Sequence, residues 1–309
     1  MIKYYIKRSP AEPIQAQSTP PQGMSWAVVS QVTPQEIELL TNKHGLDSTV
    51  AEDVLDRHEL PRLEFYNNNS YIFFRTPQPA KRGEVTSVPL MIAIGDNIFL
   101  TATTGLFEPS LEALDGLELS QATVGSLLLT TLATNITEYE NLMKKTARFI
   151  RNTGHRLRSH EATNKDFIFF VTIEDNLNLF QRDLSGMLAV AQRLKGDISH
   201  RLNKADHDGL DDIMLHIQQL LVSIASYMQS INSIRSAYST VANNSLNQRM
   251  KVLTTLTLLV ALPNVFYGMY GMNVALPFAD EPWAYTGIVI FTIVLVLLVV
   301  AIVKRFKIL

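Results

Sequence analysis

The 309-residue sequence has no cysteine. A disulfide framework, a thiolate nucleophile and a cysteine-type zinc site are therefore excluded. No G-x-x-x-x-G-K-[ST] loop occurs, and no glycine-rich nucleotide signature follows any strand-like run. Positive charge is not in excess: 27 Lys and Arg face 29 Asp and Glu, a net charge of −2. Bulk electrostatics thus gives no reason to expect nucleic acid as a partner. The seven His are scattered, and His155 and His160 do not share a helical face. With no triad or metal-ligand spacing visible, the chain is expected not to be an enzyme and to need no cofactor. The opening MIKYYIKRSPAEP lacks an apolar core of signal-peptide length, so the portion that follows is expected to stay in the cytoplasm.

A further absence is local. From Val252 to Val303 there is no Lys or Arg, and only Asp280 and Glu281 are acidic. About 20 helical residues cross roughly 30 Å of hydrocarbon. A first span is expected at about 252–272, an external loop at 273–282 and a second span at about 283–303. Arg249 and Lys251 precede the first span; Lys304, Arg305 and Lys307 follow the second. The link between them carries no positive charge. The positive-inside bias therefore places both termini in the cytoplasm, in a multi-pass protein of the cell membrane. Trp283 and Tyr285 suit the interfacial aromatic belt.

Proline is missing between Pro109 and Pro263. That stretch predicts long helices: one from about Ser120 to Arg158, a second from Asn164 to Asn203, and a third opened by Asp206-His207-Asp208-Gly209. FIFFVTI could locally be a strand, but the 3–4 spacing from Leu177 to Ile198 favours helix. Ile213, Ile217, Leu220, Ile224, Tyr227, Ile231, Ile234, Tyr238 and Val241 alternate steps of four and three, a coiled-coil-like stripe. With no break downstream, the third helix is expected to run into the first span as a rod of roughly 90 Å. Before it, residues 1–115 read as a mixed α/β domain. RLEFY and SYIFF flank Asn67-Asn68-Asn69, and VPLMIAIG and IFLTATT flank Asp96-Asn97; both read as hairpins. Thr33-Pro34-Gln35-Glu36 is a capping box with proline at its first helical position. The expected organisation is an α+β cytoplasmic domain (1–115), a long-helix stalk (116–250) and a membrane part with two C-terminal helices (251–309).

The first span ends in YGMYGMN, Tyr267 to Asn273. Asn273 is a polar amide where the segment surfaces, a place that also suits a helix C-cap. At 100° per residue, Asn247, Met250, Thr254, Thr257, Ala261, Asn264 and Gly268 fall within a sector of about 100°. This face is polar or small, while Leu256, Leu259 and Phe266 read as lipid-facing. A polar stripe in a span faces a bundle interior or water; packing of helices through small residues is the other reading. Pro263 removes one backbone hydrogen bond from this span.

A soluble α/β domain, long helices, two terminal spans and Gly271-Met272-Asn273 directly after the first span together resemble the CorA family of divalent-cation channels, chiefly for Mg²⁺. The approach, NQRMKVLTTLT (Asn247 to Thr257), is similar as well. The resemblance implies a funnel-shaped homopentamer in the bilayer, with the first span of each subunit lining a central pore. It implies that Gly271, Met272 and Asn273 form the selectivity filter, with a ring of Asn273 amides receiving the ion. Met272 stands at a position that zinc-transporting relatives often vary, which favours Mg²⁺. Some members carry a bulky Met or Leu where Ala261 stands, so the resemblance does not carry a gate over to this level.

The chemistry is consistent with that implication. Mg²⁺ sheds its water reluctantly and demands near-octahedral oxygen ligands. An amide oxygen can instead accept hydrogen bonds from the ion's own waters without fixed charge. A potential of 100 mV drives a dication with roughly twice 2.3 kcal/mol, so passive influx needs no nucleotide. The acidic run DHDGLDD reads as first-turn carboxylates favoured by the helix dipole. The resemblance adds a second reading, a regulatory Mg²⁺ site between subunits that holds the channel closed, with Asp212 and then Asp211 nearest the position. Its partner would come from Glu108, Glu112 or Asp115. Alternatives are a Co²⁺, Ni²⁺ or Zn²⁺ transporter of the same architecture and, in a different class, a membrane-anchored coiled-coil scaffold.

Overall fold

A computed structural model describes residues 2–6, 15–18, 25–96, 98–109, 123–158, 164–197, 202–272, 278 and 281–305. Seven strands form one mixed sheet: β1 (Ile2–Ile6), β2 (Gln15–Gln17), β3 (Ser25–Ser30), β4 (Arg62–Tyr66), β5 (Asn69–Pro79), β6 (Val85–Ile94) and β7 (Ile98–Thr103). Their order is β2-β1-β3-β7-β6-β5-β4, antiparallel throughout except for β3 beside β7. Between β3 and β4 lie α1 (Pro34–His44) and α2 (Ser48–Glu52). After β7 come α3 (Val124–Arg158), α4 (Asn164–Asp197), α5 (Lys204–Tyr270) and α6 (Ala284–Arg305).

The uninterrupted apolar runs of β5 and β6 follow from burial on both faces. Tyr71, Phe73, Met91 and Ala93 join Ile37, Leu40, Val50 and Val54 of the α1–α2 side in one core. The alternate residues Ile72, Phe74, Leu90 and Ile92 are also fully buried, and α3 and α4 contact that sheet. The β4–β5 hairpin closes through Asn67 and Asn68, both at positive φ (47° and 64°), as a two-residue turn requires. Asn69 is not part of that turn: it pairs with Tyr66 as the first residue of β5. Thr33 and Glu36 cap α1 reciprocally, with Pro34 at its start.

One buried polar cluster joins the sheet to the helices. The Arg75 guanidinium donates to Ser87 Oγ (2.8 Å) and to the carbonyls of Glu59 (2.6 Å), Arg57 (3.0 Å) and Ser87 (2.5 Å). Asn135 of α3 donates to the Arg75 carbonyl at 2.8 Å. The Tyr139 hydroxyl lies 3.2 Å from both that carbonyl and Asp183 Oδ2 of α4. Asp183 is fully buried, with Arg75 Nε 3.6 Å away. Burial pushes the Asp183 carboxyl above the usual carboxylate range, against the pull of Arg75 and Arg182. Burial and Asp183 together hold the Tyr139 hydroxyl well above its ordinary value.

Removing one partner of such a pair strands a buried charge. Arg75→Ala is expected to cost about 3–5 kcal/mol in chemical denaturation of the detergent-solubilised chain. A loss below about 1 kcal/mol would show that Asp183 is not a buried charge in need of that partner. The pH dependence has a definite sign. An acid whose folded value is raised stabilises most below its unfolded value and loses that contribution as pH climbs through the raised one. Asp183→Asn should abolish this term, read as a flatter stability profile between acidic and neutral pH.

The helices after the sheet correct one expectation. The second long helix is described to Asp197 and does not include Asn203, which stands just before the third helix begins at Lys204. Asp206 lies in the first turn of that third helix, so the acidic run does stand at its start. Asn203 Oδ1 accepts from the Asp206 N–H and Asp206 Oδ2 from the Asn203 N–H, both at 2.9 Å. This reciprocal cap starts α5 at Lys204. Asp206 is buried against Gly125 of α3, where an added Cβ would collide with its carboxyl. The run Phe167 to Ile173 is helical within α4.

Residues 1–232 and 233–309 form two compact units, with α5 continuous from one into the other. In the first unit the α5 stripe is buried at Ile213, Ile217, Leu220, Ile224 and Ile231. The second unit holds the remainder of α5 and all of α6.

Candidate ion-conduction site

The site region begins with the last turns of α5 and its partner α6. Both helices are long and apolar enough to cross a membrane. Phe266 stacks edge-on against Phe291 of α6, with ring centroids 5.2 Å apart. Phe266, which the sequence suggested as lipid-facing, is half-buried on the side of α5 that meets α6. Its register puts it on the side where Thr255 is buried and Leu259, Leu262 and Pro263 are half-buried. Leu256 is exposed, as a lipid-facing side chain would be. Thr292 of α6 is buried, and its Oγ1 donates to the Ile288 carbonyl at 2.7 Å. An internal hydrogen bond of this kind satisfies a hydroxyl inside an apolar helix.

The polar and small residues occupy the other side. Asn247, Met250, Thr254, Thr257, Ala261, Asn264 and Gly268 are all exposed on the single chain. By helical register their centre lies about 145° from the face that carries Thr255 and Phe266. Thr257 Oγ1 donates back to the Leu253 carbonyl at 2.9 Å. Its proton is thus engaged, and its lone pairs are what it can offer outward.

The helix continues through Pro263 and stops at Tyr270. Gly271 closes the end, its N–H shared between the carbonyls of Tyr267 (3.1 Å) and Gly268 (3.2 Å), and the Met272 N–H bonds to the Met269 carbonyl at 3.2 Å. Met272 is exposed. Asn273 lies outside the described residues. Trp283 and Tyr285, just before and within the start of α6, are exposed at 55 % and 80 %, as interfacial aromatics would be.

The acidic candidates separate. Asp211 is held by Lys195 of α4, with its two oxygens 2.7 and 2.6 Å from Nζ. Asp212 is exposed. Glu108 pairs with Lys3 at 3.1 Å, while Glu112 and Asp115 lie outside the described residues. Among the described residues no group of three or more His, Asp or Glu could hold a metal ion. The Arg75–Asp183 cluster was not foreseen from the sequence, where no local spacing marks it.

The chain thus combines a mixed-sheet domain with long helices, of which the last two are long and apolar enough to cross a membrane. A family model described as CorA-like Mg²⁺ transporter protein matches residues 21–305. The chain belongs to this family, whose members are channels and transporters rather than enzymes. It is 24 % identical over 294 residues to the cobalt/magnesium transport protein CorA of Methanocaldococcus jannaschii, covering 91 % of this chain and 90 % of that one. It is 21 % identical over 272 residues to the protein of the same name from Thermotoga maritima, covering 85 % and 77 %. The complete structure of the Methanocaldococcus jannaschii CorA magnesium transporter superposes with a TM-score of 0.83 over 99 % of this chain and 98 % of that one, at 21 % identity, so the fold is shared.

Proposed function

We propose that the chain is a Mg²⁺ channel of the cell membrane, assembled as a homopentamer, with both termini in the cytoplasm. The observation that carries this reading is the polar and small face of α5, exposed on one chain and set away from the side that packs on α6. Five such faces around an axis would line a pore along Asn247, Met250, Thr254, Thr257, Ala261, Asn264 and Gly268. Gly271, Met272 and Asn273 would form its outer filter, each Asn273 amide accepting hydrogen bonds from the ion's water shell. In this reading residues 1–115 are the cytoplasmic α/β domain, 116–250 the stalk and 251–309 the membrane part. Mg²⁺ influx into proteoliposomes tests it, and its absence from well-assembled protein would favour a membrane-anchored scaffold. The relatives are named for cobalt as well as magnesium, so Co²⁺ is the first competitor to measure, followed by Ni²⁺ and Zn²⁺.

The regulatory reading narrows to Asp212, because Asp211 is engaged by Lys195. A dication bridging copies would stabilise the closed state by its differential affinity for that state. Asp212→Lys is expected to yield currents less inhibited by cytoplasmic Mg²⁺. Unchanged inhibition would leave Asp212 as an exposed carboxylate near the helix start.

A further inference from the structure

The second half of α3 carries a concentration of one charge that neither the sheet nor the pore uses. Lys144, Lys145, Arg148, Arg151, Arg156 and Arg158 fall within 15 residues, and the sequence has no Asp or Glu from Asn141 to His160. At 100° per residue, Lys144, Arg148, Arg151 and His155 lie in a sector of about 60°. All four are exposed. They mark a basic stripe along roughly 16 Å of helix.

Part of this charge is structural. Arg156 pairs with Asp166 and so ties α3 to α4, and Lys144 pairs with Glu140 one turn back at 2.7 Å. Arg148 and Arg151 have no carboxylate partner among the described residues. The same end of the helix pair also exposes aliphatic surface. Phe149 of α3 packs against Phe169 and Phe170 of α4, with centroids 4.6 and 5.6 Å away. Beside those rings Ile168 and Val171 are 70 % and 54 % exposed. Cations in a row with aliphatic side chains nearby form an amphipathic surface.

We propose that this end of the α3–α4 pair docks on anionic lipid headgroups of the cytoplasmic leaflet. The inference rests on the membrane orientation proposed above, which puts this domain on the anionic side. The shape of the surface selects the partner. A small anion such as a nucleotide needs a concave site with converging groups, whereas the stripe follows the exposed flank of one helix. The cavity that Lys145 borders, about 210 Å³, is lined largely by Leu142, Phe149, Phe169, Ile173 and Phe180, an apolar wall unsuited to phosphate. An extended plane of negative charge matches a row of cations spaced by helical turns. Anchorage through the spans keeps such a plane at high local concentration.

The absence of native cysteine makes the test direct. Asn152→Cys, exposed beside the stripe, gives one labelling site for a fluorophore in the full-length chain. Energy transfer to headgroup-labelled lipid is then compared in vesicles of phosphatidylcholine alone and of phosphatidylcholine with phosphatidylglycerol. Transfer is expected to rise several-fold in the anionic vesicles and to fall back at high salt, which screens exposed charges. Arg148→Glu with Arg151→Glu should abolish the rise, and the milder Arg148→Gln with Arg151→Gln should reduce it. Equal transfer in both lipids, or a rise that survives charge reversal, overturns the proposal. So does transfer lost only when added oligonucleotide competes, or a stripe covered by a neighbouring copy, seen as label-to-label transfer that ends on dilution into excess lipid. Mg²⁺ uptake by the same samples in phosphatidylcholine reads the transport function separately and checks that the charge-reversed chain is folded.

Discussion

Asn273→Ala is expected to reduce Mg²⁺ uptake in proteoliposomes to background while leaving the oligomer intact. The substitution deletes the amide that, in the proposed function, meets the ion at the pore mouth. A hydrated dication arriving at the pore mouth must exchange bulk water for fixed acceptors. In the proposed pentamer, five amide oxygens would take hydrogen bonds from its inner waters, whereas five methyl groups would leave those waters without partners in a narrow space. Carboxylates would attract the ion more strongly but release it more slowly. Asn273→Asp should therefore bind Mg²⁺ more tightly and pass it less quickly. Near-normal uptake by a correctly assembled Asn273→Ala protein would remove the filter role from this residue.

Asn264→Leu is expected to cut conductance sharply, and Asn264→Thr only mildly. Asn264 stands on the exposed face with Thr257 and Gly268, about two turns before α5 ends. An amide left against lipid would lack partners for both its N–H groups and its oxygen. In a water-filled pore each is solvated and can touch the ion's hydration shell. Leucine narrows that ring and makes it apolar, which favours dewetting; threonine keeps an oxygen of similar reach. A cysteine scan through Pro263, Asn264 and Val265 with a water-soluble thiol reagent checks the register. Modification at 265 in open channels with none at 264 would assign the pore to another face.

The sequence carried this face and much of the fold for a simple reason. Local rules act over a few residues, and they decided the Thr33–Glu36 cap, the Asn67-Asn68 turn and the stripe from Ile213 to Ile231. The period of 3.6 grouped Thr254, Thr257, Ala261 and Asn264, and the terminal spans were legible from apolar length alone. What escaped depends on partners far along the chain. Tyr139 reaches one partner 64 residues upstream and another 44 downstream, and no pattern marks either. The parallel pairing of β3 with β7 is equally remote in sequence. Phe266 looked lipid-facing because an apolar ring suits lipid and a neighbouring helix equally well; only the position of Phe291 separates the two. The Asn203 cap depends on a reciprocal pair of hydrogen bonds with Asp206, which the apolar spacing from Leu177 to Ile198 does not report. A regulatory site between copies lies beyond any single chain, so Asp212 has to be tested by function.

The cluster around Arg75 also bears on biosynthesis. Its members, from the Arg57 carbonyl to Asp183, all precede the first apolar span in chain order. They come from the loop before β4 and from β5, β6, α3 and α4, so the cluster closes only when both helices have docked on the sheet. During translation that docking can be complete before any membrane helix leaves the ribosome, since early domains fold first. The insertion machinery would then receive a finished domain rather than an open chain. Lesions confined to the spans should accordingly leave a folded, protease-resistant fragment without its anchor, whereas a lesion at Arg75 should expose the whole chain to degradation before insertion begins.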